Sequence, residues 1–227
     1  MLSPSFRIRS FARRNGRKTK AQTVCYSTLM PLYGIFLKEE LISFQNIFHR
    51  EAPSFLEIGF GYGQSLLALA RLNPDKNFIG IETYRPGIGA LLSGIHHWKL
   101  NNLRIIEGDA VDIIEKNIPN MSLNSVQIFF PDPWPKRRHQ ARRLIQPNFV
   151  KKIVQTLMQN GTLHLATDWE DYAFYMMKVL SQEEQLMNSY KNQQFALRSP
   201  YRPLFTKFEI KAQQASRIIY DLQFARK

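Results

Sequence analysis

The stretch Ser54-Phe55-Leu56-Glu57-Ile58-Gly59-Phe60-Gly61-Tyr62-Gly63 decides the fold. Its first half is an apolar run interrupted by one acid, the pattern of a strand buried on both faces. Its second half sets three glycines at alternate positions ahead of QSLLALARL at 64–72, an amphipathic segment closed by Asn73-Pro74. A strand that turns tightly through glycines into a helix is the opening unit of a doubly wound α/β sheet.

Glycines at such a turn let a ligand approach the backbone at a helix N-terminus. The spacing is G-x-G-x-G, not the G-x-G-x-x-G of dinucleotide enzymes, and no G-K-[ST] follows as a phosphate loop requires. Glu57, just before the first glycine, would repel a pyrophosphate but suits a cationic ligand. S-adenosyl-L-methionine, with its sulfonium and amino group, is such a ligand. Taken alone, the motif also reads as a plain strand-to-helix turn.

Downstream, strands and helices alternate. Residues 77–81, 103–106, 125–130 and 162–166 read as strands, and 86–100, 110–114, 149–158 and 168–181 as helices. Residues 205–210 and 217–224 read as a closing pair of strands, and 29–48 as an amphipathic helix before the sheet begins. The expected fold is a mostly parallel sheet covered by helices on both faces, Rossmann-like and preceded by a basic arm. The arm is expected over residues 1–28, flexible without a partner, and the α/β domain over 29–227.

Two further acids end strands of this sheet. Glu82 ends the second, where a carboxylate can accept hydrogen bonds from ribose hydroxyls. Asp109 follows the third, where it could accept from an adenine amine or cap the next helix. Glu57, Glu82 and Asp109 converge on one crevice in a doubly wound sheet, and that convergence favours a nucleoside-bearing ligand over three unrelated surface acids.

The segment FPDPWPKRRHQARRL at 130–144 is the most unusual in the chain. Prolines stiffen both sides of Asp132, Trp134 offers a stacking face, and Lys136, Arg138, Arg142 and Arg143 follow without an acid. A rigid acid beside an aromatic ring and a basic rim has the chemistry of a nucleobase pocket bordered by phosphate contacts. A proline-rich turn whose acid caps a neighbour is the plainer alternative.

Charge points the same way. In 227 residues, 31 Lys and Arg stand against 18 Asp and Glu, a net charge of +13 that calls for a polyanionic partner. The excess is concentrated at 136–152 and at 1–30, where Arg13, Arg14 and Arg17 lie. An Arg- and Ser-rich N-terminus without acids also resembles a mitochondrial transit peptide. Cys25 is the one cysteine, which excludes an internal disulfide, a Cys-rich zinc site and a cysteine-held iron–sulfur cluster, and favours the cytoplasm. His96 and His97 have no partners at metal-ligand spacing, so no metal is expected. No apolar run approaches the roughly 18 residues of a membrane span, so no membrane partner is expected.

Together, FLEIGFGYGQSLL at 55–67, IGIE at 79–82, EGDA at 107–110, the 130–144 segment, ATDW at 166–169 and TKFE at 206–209 resemble the bacterial tRNA (guanine-N7)-methyltransferase family. RSFARRNGRKTKAQ at 9–22 is similar to that family's opening arm, against the transit-peptide reading. The resemblance covers most of the chain and implies a class I S-adenosylmethionine-dependent methyltransferase acting on tRNA at guanine 46 of the variable loop. It implies cofactor contacts from Glu57, Gly59, Gly61, Gly63, Glu82, Asp109 and Asp132, with Asp132 also catalytic. It assigns Lys136, Asp168, Thr206, Lys207, Phe208 and Glu209 to the substrate. RNA contacts are implied for Arg13, Arg14, Arg17, Arg138, His139, Gln140, Ala141, Arg142 and Arg143. A monomer or homodimer is expected.

Two positions depart from the family pattern. Ala141 stands where the family often has lysine, and Lys211-Ala212 follow Glu209 where arginine and glycine are usual. Guanine N7 carries an in-plane lone pair and no proton, so methyl transfer to it needs alignment rather than a base. Asp132 is accordingly expected to orient the purine and offset its developing positive charge. A methyltransferase of another substrate would share the cofactor half. A non-catalytic RNA-binding protein would explain the charge but not the strand-end acids, and a nicotinamide dehydrogenase is disfavoured by the glycine spacing.

Overall fold

In the computed structural model, which describes residues 10–11, 19–190 and 194–227, a seven-stranded sheet runs through the molecule. Ser54–Ile58 (β1), Asn77–Glu82 (β2), Leu103–Glu107 (β3), Leu123–Phe129 (β4) and Leu157–Thr167 (β5) pair in parallel. Leu186–Asn188 (β6) and Tyr220–Arg226 (β7) complete it, β7 antiparallel to both β5 and β6. The spatial order is β3-β2-β1-β4-β5-β7-β6. The chain leaves β1 toward β2 and returns beyond it to β4. A crevice therefore opens at the carboxyl ends of β1 and β4, the switch point where doubly wound sheets bind ligands.

Both faces of the sheet are covered. One side of β1, β2 and β3 presents Phe55, Phe78 and Ile105 to helices Lys20–Tyr33 (α1), Gln64–Leu72 (α3) and Arg85–His97 (α4). On α4, Ile88, Leu91, Leu92 and Ile95 are buried at the i, i+3, i+4 and i+7 spacing of a single helical face. The other side presents Leu56, Ile58, Ile79, Ile81, Val126, Ile128, Leu163 and Leu165 to a core completed by Ala110–Lys116 (α5), Pro147–Thr156 (α6) and Glu170–Ser181 (α7). Each such side chain contributes about 1.5–3 kcal/mol when fully buried, enough to fix the strand ends as a rigid platform. No helix among the described residues is long and apolar enough to cross a membrane.

Three expectations change. Residues 29–48 are not one helix. α1 begins earlier, where Thr19 and Gln22 form a reciprocal capping box, and ends at Gly34, whose amide donates to the Met30 carbonyl at 2.8 Å. It thus runs across the expected boundary between residues 28 and 29. The chain then straps the sheet edge, with the Ile35 amide donating to the Ile105 carbonyl at 2.7 Å, before Ser43 caps the short helix Phe44–Phe48 (α2). Residues 205–210 are not a strand either. Thr206 caps Lys207–Gln214 (α8), with Glu209 closing a second capping box. The partner of β7 at the sheet edge is instead β6, a three-residue strand too short for periodicity to reveal.

Candidate active site

The glycine turn is built for close approach. Gly59, Gly61 and Gly63 have φ of 78, 60 and 70°, which side-chain-bearing residues adopt only under strain. A Cβ on Gly59 or Gly61 would meet nothing within 4 Å, so those two face open space at the strand ends. On Gly63 it would lie 2.7 Å from Leu91 Cδ2. Gly87 makes this packing possible, because a Cβ there would lie 2.0 Å from the Gly61 carbonyl oxygen. Sequence reading passed over Gly87, since its reason is a contact from α4 to a loop distant in sequence.

Glu57 and Glu82 flank the turn in different states. Glu82 is held by backbone: its Oε2 accepts from the Gly61 amide at 2.9 Å, and its Oε1 from the Thr83 and Tyr84 amides at 2.6 and 3.0 Å. Glu57 is 6% exposed, and its Oε2 is buried without a hydrogen-bond partner. Burial, and secondarily the Glu82 charge, push its carboxyl up to about 8, while Arg202 draws it down. A buried acid with an unused oxygen has the chemistry to accept a hydrogen bond from a cation, which would also favour its charged form. The open glycine faces leave the backbone accessible beside it.

On the adjoining strand, Asp109 Oδ1 accepts from the Val111 amide at 3.1 Å and caps α5. The capping alternative therefore holds, with the side chain still at the crevice end of β3. Its neighbour Glu107 accepts from Arg85 Nε at 2.6 Å and from the Tyr26 hydroxyl, tying α1 and α4 to the end of β3.

The 130–143 segment leaves β4 through Phe130, at φ 52°, and turns again at Trp134, at φ 43°. The Trp134 indole N–H donates to the Ser10 carbonyl at 3.1 Å, which brings part of the arm to the loop. The Arg142 guanidinium lies over the Trp134 ring, 5.1 Å from its centroid, and His139 meets it edge-on. The face expected to stack a base is thus already shared with a cation. Lys136, Arg138, Ala141 and Arg142 are exposed, while His139 and Gln140 are half-buried along the 3-10 turn Arg137–Arg142.

Arg143 departs from its expected role as a phosphate contact. Its side chain is 2% exposed, its Nε donates to the Pro133 carbonyl at 2.9 Å, and its Nη2 pairs with Asp171. It also lies over the rings of Tyr172 and Tyr175. Arg143 braces the Asp132 loop from beneath. Arg13, Arg14 and Arg17 lie outside the described residues.

The segments expected to meet the substrate divide. Lys207 and Phe208 are exposed at the start of α8, and the Phe208 ring stacks on Phe130 at 5.8 Å and 14°. Asp168 Oδ2 pairs with Arg217 at 2.9 Å beyond β5. Glu209, by contrast, is fully buried: Oε1 accepts from Arg198 and Arg202 at 2.9 and 2.8 Å, and Oε2 from the Thr206 amide at 2.7 Å. Glu209 does not face solvent where a substrate would arrive. Arg202 continues the network to Asp221, and His164 Nε2 lies 3.3 Å from the same carboxylate. Burial works against the charge on Asp221, yet His164 and Arg202 hold it below the usual carboxylate range. His164 and Asp221 lie on strands read from the sequence, but nothing in their spacing points to Arg202 as their partner. Among the described residues no cluster of His, Cys, Asp and Glu could hold a metal ion.

Residues 51–222 match a family described as putative methyltransferase. The chain is 45% identical over 220 residues to a tRNA (guanine-N(7)-)-methyltransferase of Hydrogenovibrio crunogenus, covering 97% of this chain and 91% of that protein. It is 43% identical over 235 residues to one of Yersinia enterocolitica, covering 100% and 98%. Among solved structures it is similar in fold to the 16S rRNA methyltransferase KamB, at a TM-score of 0.61 and 12% identity over 81% of this chain and 92% of that one. A 30S ribosomal A1408 methyltransferase from an uncultured bacterium gives 0.59 at 16% identity, over 86% and 98%.

Proposed function

The chain belongs to the tRNA (guanine-N(7)-)-methyltransferase family, and from that premise we infer that it methylates guanine N7 in tRNA, at position 46 of the variable loop. The methyl donor is S-adenosyl-L-methionine, and the setting is the cytoplasm. The observation that carries this reading is Glu57, a buried carboxyl with an unpartnered oxygen beside two open-faced glycines.

Glu57 is the counter-charge for the amino group of the cofactor. Gly59 and Gly61 admit it to the backbone, Glu82 holds the glycine turn and receives ribose hydroxyls, and Asp109 faces the adenine. When bound, the cofactor supplies an electrophilic methyl on a sulfonium. The chain's task is to hold guanine N7 in line with that methyl, and such alignment is worth several kcal/mol of barrier. Phe208, backed by the buried Phe130 ring, offers apolar surface near Asp132, and Lys136 and Lys207 offer charge to the flanking phosphates. Asp132 accepts a hydrogen bond from the guanine edge and offsets the positive charge that develops on the purine. No proton leaves N7, so Asp132 acts by orientation and charge.

Incubation with labelled S-adenosyl-L-methionine and unmodified bulk tRNA, followed by borohydride–aniline cleavage, tests the reading. A single cleavage in the variable loop is expected, and label elsewhere or in no tRNA rejects it.

A further inference from the structure

The TKFE motif has its acid turned away from solvent, toward an arginine that no motif includes. The Arg202 side chain is fully buried. Its Nε donates to Glu209 Oε1 at 2.8 Å, and its Nη1 and Nη2 donate to the two oxygens of Asp221 at 2.8 and 2.9 Å. The flat guanidinium lies 4.9 Å from the Phe129 centroid and 5.7 Å from that of Phe130. One side chain thus joins three elements: β7 through Asp221, the start of α8 through Glu209, and the end of β4 through two rings.

We propose that Arg202 is a positioning residue that sets the substrate segment Thr206–Phe208 against the loop carrying Asp132. The linkage runs through Glu209. Its second oxygen accepts the Thr206 amide at 2.7 Å, and the Thr206 hydroxyl accepts the Glu209 amide at 3.1 Å, so the orientation of α8 follows the Glu209 carboxylate. Phe208, one residue earlier, then stacks on Phe130, two residues before Asp132. Only arginine supplies a planar fork that bonds two carboxylates while its face covers aromatic rings. Buried ion pairs add little net stability over apolar packing, whereas they can specify one arrangement among several. The outcome here is a fixed distance between the tRNA-facing segment and the reacting loop.

The proposal rests on the methyltransferase reading, so wild-type turnover on unmodified tRNA is measured first; failure of that reading shows there, and failure of the positioning role shows only in variants. Arg202→Lys keeps the charge felt by Glu57 but removes the fork. It is expected to lower kcat at least tenfold and raise KM for tRNA several-fold, with S-adenosylhomocysteine affinity within twofold of wild type by calorimetry. Phe208→Leu, at an exposed ring, is expected to give a smaller loss of the same kind. Combined with Arg202→Lys, it should lose no more than Arg202→Lys alone. Multiplicative losses in the double variant, or a fall in cofactor affinity parallel to the fall in kcat, overturn the proposal. If Arg202→Lys fails to fold, Arg198→Ala removes the other donor to Glu209 Oε1 from the solvent side. A three- to tenfold rise in KM for tRNA at unchanged cofactor affinity then supports the linkage, and wild-type kinetics reject it.

Discussion

Glu82 Oε2 accepts the Gly61 amide at 2.9 Å, which makes the acid at the end of β2 the latch of the glycine turn. Its other oxygen is bonded to the Thr83 and Tyr84 amides at the start of α4. A carboxylate offers about four acceptor sites, and three backbone amides take three. The fourth is met only by the Thr83 hydroxyl at 3.4 Å, a weak contact that a ribose hydroxyl would displace. Glu82→Ala removes both the latch and that acceptor. Cofactor affinity is expected to weaken by roughly 1.5–3 kcal/mol, the range for charge-assisted hydrogen bonds. Calorimetric titration with S-adenosylhomocysteine measures it, and an unchanged affinity would remove Glu82 from the site.

Glu57 makes the stability of the cofactor-free protein depend on pH in an unusual direction. Its carboxyl is raised by burial to about 8 from the ordinary value of 4.5, so the folded state binds a proton that the unfolded chain has lost. Stability from this group is fully present below the unfolded value and declines as pH rises through the window up to about 8. The slope is at most about 1.4 kcal/mol per pH unit. Urea midpoints across that window are expected to decline more steeply for wild type than for Glu57→Gln, which cannot ionise. Equal slopes would show that Glu57 is already charged.

Asp132→Asn separates chemistry from binding. The amide keeps the shape of the side chain and removes the charge that offsets the methylated purine. Turnover is expected to fall by about 10²-fold or more, within the range for loss of one preorganised electrostatic group. Affinity for tRNA should hardly change, because phosphate contacts dominate it. Single-turnover transfer and filter binding on the same preparation give both quantities. Near-normal turnover would make the loop a structural turn.

The glycine turn and the acids at the strand ends were legible because their signals are local. An apolar run, three glycines and a helix start fall within 54–72, and the acids at 82 and 109 follow from where the next strands end. The buried ionic layer was not legible. Arg202 meets Asp221 across nineteen residues and a turn of chain, and nothing in RSPYRP marks an arginine for burial. Arg143 was misread for the opposite reason. It sits in a basic run whose other members are exposed, and only the fold places its guanidinium under Pro133 and beside Asp171. In the 205–210 segment, Phe205, Phe208 and Ile210 suggested a strand, whereas the capping pair Thr206 and Glu209 decides for helix.

That contrast within one basic run gives the last prediction. Arg138 and Arg142 are exposed on the rim of the Asp132 loop, whereas Arg143 is buried beneath it. As phosphate contacts, each exposed arginine should contribute about 0.7–0.9 to the slope of log affinity against log salt. Arg138→Ala with Arg142→Ala should therefore flatten that slope by roughly 1.5 and weaken all tRNAs alike, without touching cofactor affinity. Arg143→Ala should instead leave the slope as it is. Its loss strands the Pro133 carbonyl and lets the loop shift, so stability drops by about 1–3 kcal/mol and turnover falls with it. Filter binding across a salt series and a urea titration distinguish the two. If Arg143→Ala flattened the slope as far as the exposed pair does, Arg143 would have to leave its buried site to reach RNA, and the bracing role would be wrong.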